Sequence, residues 1–330
     1  MSPEKPSVLI TGANGFVGSR LCRTFLENGF EVIAGVRKTA SLAQLEGLDI
    51  TYRYGDVCMP ETLPGMVTGV DYIVHNAGVV KVKRNERFFE VNEGGTRALF
   101  DAIARHNPGV RKVIYVSSLA AAGPSKPGAP RQESDPPIPL TAYARSKLAG
   151  ETAALSFSDR FSVVAVRPSG VYGPGDRENF AFFLALSLRV KPLIGKTGRK
   201  IQLVHVDDLC RGIYLAVTTS TPSEAVYFIA EDRSYTMKEL IRIIRQVVGK
   251  AAVPLYIPAA PFKVIAAFSQ RILKLFNVTP MLTPEKADEL LGSWEVSTAR
   301  ARDELGFQSS IAFEEGARQT FEWYKKEGWL

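Results

Sequence analysis

The sequence predicts an α/β protein: a doubly wound parallel sheet followed by a smaller, mostly helical domain. Three observations carry this. Short β-branched runs alternate with helix-length amphipathic segments through the first two-thirds of the chain. Three glycines, each three residues from the next, separate the first such run from the first helical segment. Beyond about residue 170, helical segments dominate. Strands separated by helix-length segments imply right-handed crossovers and hence a parallel sheet.

The elements follow in order. Val8–Thr11 (VLIT), Glu31–Val36 (EVIAGV), Tyr72–His75 (YIVH), Val113–Ser117 (VIYVS) and Val163–Arg167 (VVAVR) read as buried strands, with helices expected at 17–28, 86–105 and 141–157. Gly and Pro crowd 123–139, which predicts a surface loop beside the site, and again 168–176, where the second region opens. Helices are then expected at 178–190, 236–248, 261–276 and 311–326, with strand-like pieces at 201–206 and 225–230. The first domain is therefore expected to hold residues 1–170 plus about 201–230. The second would hold about 171–200 plus 231–330.

The chain has 330 residues, and 45% hydrophobic with 23% charged content excludes a disordered tail, a collagen-like repeat and a disulfide-stapled mini-protein. Cys22, Cys58 and Cys210 are scattered, which reads as reduced thiols of a cytoplasmic protein. Met1–Ser7 does not read as a signal peptide, and no apolar run is long enough for a membrane span. His75, His106 and His205 share no ligand spacing, so no metal site is expected, and His75 and His106 are read as structural. Lys plus Arg number 41 against 34 Asp plus Glu, a net charge of +7. That excess points to an anionic partner, yet no basic stripe of the nucleic-acid-binding kind accompanies it. The cluster Lys81-Val82-Lys83-Arg84 with Arg87 reads as a solvated loop and helix start.

The run TGANGFVG at 11–18 gives the glycines a context, strand before and helix after. Gly12 permits a sharp turn, Gly15 lets backbone approach a pyrophosphate, and Gly18 lets helix and strand pack closely. Asn14, Phe16 and Val17 belong to the same loop, and the helix N-terminus attracts phosphate. This is the signature of a Rossmann dinucleotide site. An NAD site places a carboxylate near the end of the second strand, but here Arg37 and Lys38 stand there. A guanidinium suits a 2′-phosphate, so NADP(H) is preferred, with NAD(H) possible.

Tyr143 and Lys147 are four residues apart and share a helix face. An ammonium one turn away, with a positive nicotinamide ring, would favour the phenolate. Ser117 and Ser118 close the strand VIYVSS at the carboxyl edge of the sheet, where such folds bind ligands.

In order along the chain stand TGANGFVG, GDV (55–57), HNAG (75–78), VNEGGT (91–96), VSS (116–118), YARSK (143–147), RPSGVYGPGD (167–176) and HVDDL (205–209). This series resembles the extended short-chain dehydrogenase/reductase family over nearly the whole chain. The resemblance implies that Asp56 and Val57 contact the adenine, and that Asn76, Ala77 and Gly78 line the cofactor path beside Ser117. It implies that Ser118 orients the substrate oxygen, Tyr143 acts as acid/base, and Lys147 binds the nicotinamide ribose with Asn92 in support. Pro168, Ser169 and Val171 would run beside the nicotinamide. Two departures narrow the choice. Ser118-Leu119-Ala120 lacks the paired acids of the 4,6-dehydratases, which disfavours dehydration. Ser169-Gly170 replaces the Asn-containing pattern of the nucleotide-sugar epimerases, although Asn179-Phe180 and Pro192–Ile194 keep that alternative open. RPSGVYGPGD, the ARDELGF tail at 301–307 and Phe321–Tyr324 look more like the dihydroflavonol reductase and 3β-hydroxysteroid dehydrogenase members.

The expected activity is therefore hydride transfer between NADP(H) and a carbonyl/secondary alcohol compound. A nucleotide-sugar epimerase is the alternative, and a catalytically idle dinucleotide-binding regulator the third reading. A homodimer through 86–105 and 141–157 is implied. The 261–276 helix is read as a lid or wall over an apolar pocket in preference to a helix lying on a membrane. His205 is expected in a satisfied hydrogen-bond network, and Asp207 or Asp208 as cap of a helix starting near Leu209.

Overall fold

The computed structural model describes residues 5–195, 198–275 and 283–330, with side chains of 270–275 left aside. Met1–Glu4 of the opening segment and Phe276 of the expected 261–276 helix lie outside the described residues. The strands in chain order are β1 (Ser7–Thr11), β2 (Glu31–Val36), β3 (Thr51–Tyr54), β4 (Tyr72–His75), β5 (Lys112–Val116), β6 (Val163–Pro168), β7 (Gly170–Tyr172), β8 (Val190–Ile194), β9 (Lys200–His205), β10 (Val226–Ile229), β11 (Ser234–Thr236) and β12 (Val253–Ile257). Seven of them form one sheet in the order β10-β6-β5-β4-β1-β2-β3, every neighbouring pair parallel. The order reverses between β1 and β4, which opens a crevice at the carboxyl ends.

Strands buried on both faces explain why the sequence reads as apolar runs. Val8 and Ile10 of β1 face one helical layer with Leu21, Cys22 and Phe25 of the helix Phe16–Glu27 and Leu209 and Ile213 of the helix Val206–Thr218. Leu9 faces the other, with Leu99, Phe100 and Ile103 of Gly95–His106 and Ala154 of Ala142–Leu155. The buried positions 18, 21, 22 and 25 recur at helical spacing, so this first helix is held by packing of one stripe.

Several expectations are corrected. The 86–105 helix is interrupted by a π turn at Glu90–Gly94 between Glu86–Phe89 and Gly95–His106. The strand expected at 201–206 does not enter the large sheet. It forms β9 in a separate sheet of order β11-β9-β7, whereas β10 does join the large one. The 178–190 helix is shorter, Phe180–Ser187, because β8 begins at Val190 and pairs with β12 in a two-stranded sheet. The loop 123–139 pairs with the segment 293–297 through Ser125 and Arg131. The cap of Val206–Thr218 is His205, whose Nδ1 accepts from the Asp207 N–H at 3.3 Å. Asp208 instead accepts from the Ser310 and Ile311 N–H groups, both at 2.9 Å, and so anchors the C-terminal segment. His205 Nε2 is buried with no hydrogen-bond partner among the described residues, so its network is only half satisfied.

Candidate active site

A cavity of about 990 Å³ runs from the glycine loop along the carboxyl edge of the large sheet and into the second region. Its first half is built by the β1 turn. Gly12 has φ +66 and donates to Gly35 O at 3.1 Å, and an added Cβ would meet Ala77 backbone at 2.9 Å. A Cβ on Gly18 would stand 2.1 Å from Gly12 O, so only glycine lets the helix Phe16–Glu27 approach the strand. That helix has no side-chain cap, and Gly15, Phe16 and Val17 face the cavity with Gly12 and Asn14. Gly18 itself does not line it, consistent with a packing role.

Arg37, exposed just after β2, lines the cavity with Asp56, Val57 and the unforeseen Gln44. Lys38 is exposed and does not line it. Asn76, Ala77 and Gly78 continue the wall, and Pro168, Ser169 and Val171 form the opposite side. The Oγ atoms of Ser117 and Ser169 are buried without partners among the described residues. Uncapped helix N–H groups, a glycine cradle and two orphan hydroxyls along one elongated cavity fit a dinucleotide.

At the middle of the cavity lie Ser118, Tyr143 and Lys147. Ser118 caps the short helix Leu119–Ala122, accepting from the Ala120 N–H at 3.1 Å. Burial pushes the Tyr143 hydroxyl above its ordinary pKa, and a hydrogen bond with the Ser118 side chain draws it partly back. Phe88 holds the Tyr143 ring edge-on at 5.8 Å, a contact with no sequence signal. Lys147 is buried and donates from Nζ to Val116 O at 2.7 Å, with the ammonium 4.4 Å from the Tyr115 ring centre. Desolvation brings its pKa down to about 7, against the smaller opposing pull of Glu151. Without a bound dinucleotide, Ser118 is the group that lowers the phenol, and Lys147 is itself driven toward neutrality by desolvation. Glu151 is held by Arg167 at 2.9 and 2.6 Å, a buried bidentate pair tying this helix to β6.

Asn92 does not line the cavity. From the π turn its Oδ1 accepts from the Val79 N–H at 2.9 Å, while Nδ2 donates to Val79 O at 3.1 Å and Ser146 Oγ at 2.9 Å. Through Ser146 it is tied to the helix that carries Lys147.

The second half of the cavity is mostly apolar, with Phe182, Pro192, Leu203, Leu240, Ile244 and Trp294 among its walls, and Arg177, Arg199, Gln202, Lys286 and Glu289 set between them. Sequence reasoning placed most of the apolar ones on helices and strands without seeing that they converge. Arg87 reaches the cavity, and so does Glu178, which pairs with Lys81 at 2.8 Å at its rim; Arg84 pairs with Glu86 at 3.8 Å outside it. None of the described side chains of the helix Ala259–Leu275 lines the cavity, which counts against the lid reading. Phe262 and Ala266 of that helix pack with Ala287 against Ile194, Ile257 and Leu291. Among the described residues no helix is long and apolar enough to cross a membrane, and no His/Cys/Asp/Glu group suits a metal.

This chain is 32% identical to the ceramide reductase of Caulobacter vibrioides, across 98% of its own length and 96% of that protein. It is 27% identical to the 3 beta-hydroxysteroid dehydrogenase/Delta 5→4-isomerase of Mycobacterium tuberculosis, covering 98% and 92%. The crystal structure of gox2253 superposes with a TM-score of 0.84 at 25% identity, covering 98% of this chain and 99% of that one. Residues 8–230 match the NAD dependent epimerase/dehydratase family, and with the parallel sheet, the glycine cradle and these whole-length relatives the chain belongs to that family.

Proposed function

We propose that this protein is an NADP(H)-dependent oxidoreductase that interconverts an apolar ketone and its secondary alcohol. The observation that carries the reading is the position of Ser118, Tyr143 and Lys147 at the junction of a dinucleotide-shaped half and an apolar half of one cavity. Gly12, Gly15 and the helix N–H groups would hold the pyrophosphate, Asp56 and Val57 the adenosine side, and Arg37 a 2′-phosphate. When bound, the dinucleotide supplies or accepts the hydride at its nicotinamide. The protein's residues do the rest. Ser118 and Tyr143 fix the substrate oxygen by hydrogen bonds, and Tyr143, kept as a neutral phenol by burial, gives that oxygen its proton. Ser118 then steadies the phenolate left behind. Lys147 is placed to hold the ribose, and residues 1–170 with β10 would form the cofactor domain.

The relatives named for ceramide and hydroxysteroid chemistry support an apolar substrate. The epimerase alternative has less support. The Asn179 amide is spent on Asp176 Oδ2 at 2.7 Å and Val171 O at 3.2 Å, so it is not free for a sugar nucleotide. Tyr143→Phe tests the reading: turnover of an apolar ketone should fall by about 10²–10⁴-fold or more, while dinucleotide affinity changes little. Near-native turnover would remove Tyr143 from the chemistry, and turnover of nucleotide sugars without net cofactor consumption would favour the epimerase.

A further inference from the structure

The positive charge of this chain is concentrated. Residues 179–206 and 240–284 together carry eleven Lys and Arg and no Asp or Glu, which exceeds the net charge of +7 and leaves the remainder acidic. The same two stretches hold most of the exposed apolar surface. Of the fourteen large apolar side chains exposed among the described residues, nine lie between Leu184 and Val190 or between Val253 and Phe268. The β8–β12 pair is exposed on both of its sides: Val253 (73% exposed) and Leu255 project from one side with Val190, and Tyr256 projects from the other, with Val253, Leu255 and Tyr256 each more than half exposed. Arg189 and Lys250 stand exposed among them, with Lys191 partly so. The helix Ala259–Leu275 buries Phe262 and Ala266 and turns Val264, Ile265 and Phe268 outward.

The geometry points to peripheral docking of this face on an anionic lipid bilayer. Lys263 pairs with Asp288 and Lys200 with Glu295, and Arg199 is buried in the cavity, so the cations left at this surface among the described residues are Arg189, Lys191 and Lys250. Exposed apolar side chains interleaved with these three match a leaflet with negative headgroups over an acyl layer. A partner strand is a poorer occupant, because Pro192 and Pro254 remove amide donors from β8 and β12. The face also adjoins the apolar half of the cavity. Pro192 and Ile194 of β8 line it, and Leu255 and Ile257 of β12 are their register partners. A substrate dissolved in the leaflet would thus lie one strand from the site, a consequence that rests on the proposed oxidoreductase reading, as docking itself does not.

Vesicle co-sedimentation of the full chain tests this. Binding is expected to vesicles of phosphatidylcholine mixed with phosphatidylglycerol and not to phosphatidylcholine alone, and to weaken as salt is added. Arg189→Gln with Lys191→Gln should reduce affinity roughly thirtyfold. Tyr256→Ser with Phe268→Ser should reduce it roughly tenfold or more. Neither pair lines the cavity, so thermal midpoint and dinucleotide affinity should hold in both. Equal binding to both vesicle types, no binding, or unchanged affinity in both double variants overturns the proposal. So does self-association abolished by the variants without vesicle binding, which would assign the face to a second copy. Vesicle binding is read without substrate, so its failure leaves the oxidoreductase reading standing and the failure of turnover leaves docking standing.

Discussion

Lys147 shows what burial does to a single residue. Its ammonium has left water for the underside of the sheet edge, where Val116 O and the Tyr115 ring face it, and its pKa has fallen to about 7. The same group, if it grips ribose hydroxyls beside an anionic dinucleotide, regains favourable partners for its charged form. Its pKa in the complex must then exceed that of the free protein. Between those two values the complex binds more protons than its parts, so dinucleotide binding should take up protons at pH 7–8. Calorimetry in buffers of different ionisation enthalpy reads this directly. The expected uptake approaches one proton near pH 8 and disappears in Lys147→Met. Proton release, or uptake unchanged in the variant, would remove Lys147 from the dinucleotide contact.

Between elements, a directional hydrogen-bond chain joins the glycine loop to the π turn. The Ala77 N–H donates to Thr11 Oγ1 at 3.1 Å, and Thr96 Oγ1 donates to Asn92 O at 2.7 Å. His75 closes the gap, 2.8 Å from Thr11 Oγ1 at Nδ1 and 3.0 Å from Thr96 Oγ1 at Nε2. Since the Thr96 proton is committed to Asn92, Nε2 carries the imidazole proton and Nδ1 accepts from Thr11. The ring is therefore neutral and its tautomer fixed by its neighbours. Burial, aided by Lys147, lowers its pKa from 6.5 to about 3. A depressed value means the unfolded state binds the extra proton first, so stability present above pH 6.5 should be lost as pH falls towards 3. At ~1.4 kcal/mol per unit the histidine's share amounts to several kcal/mol. Chemical denaturation at stepped pH should show this slope, and His75→Gln should flatten it. A parallel slope in the variant would place the acid sensitivity elsewhere.

Legibility in the sequence followed burial. β1, β2, β4, β5 and β6 were readable because both faces are covered, which leaves an apolar run, and the glycine loop because a close approach forbids any Cβ. β3 was not, since TYRY lies at the sheet edge partly exposed with a charge inside it. β8 and β12 carry prolines that argue against strand, tolerated here because their sheet has only two strands. The π turn has no pattern of its own. Tyr143 and Lys147 stand out by their helical spacing and Ser118 through the family resemblance, but the cavity walls come from separate elements that only the tertiary fold assembles.

For the whole molecule, the cavity is the seam. Its glycine half hangs on the large sheet, its apolar half on the core formed by Tyr172, Phe183, Ile241, Phe313 and Tyr324, and a ligand filling both touches elements from β1 to the C-terminal helix. Such a ligand binds only the folded chain, so its affinity appears as stability, about 2.7 kcal/mol at a hundredfold excess over Kd. On the proposed reading the two dinucleotides would differ only at the 2′ position, which Arg37 at the exposed end of the cavity would meet, with no carboxylate ending β2. NADPH should therefore raise the thermal midpoint more than NADH at equal concentration. Arg37→Ala should cost NADPH roughly 1–3 kcal/mol of binding, the worth of a charged hydrogen bond, and leave the NADH shift nearly unchanged. Equal losses for both would mean that Arg37 acts on the fold or on the shared pyrophosphate. A larger shift with NADH in the native chain would return the site to NAD(H) despite the cation at its rim.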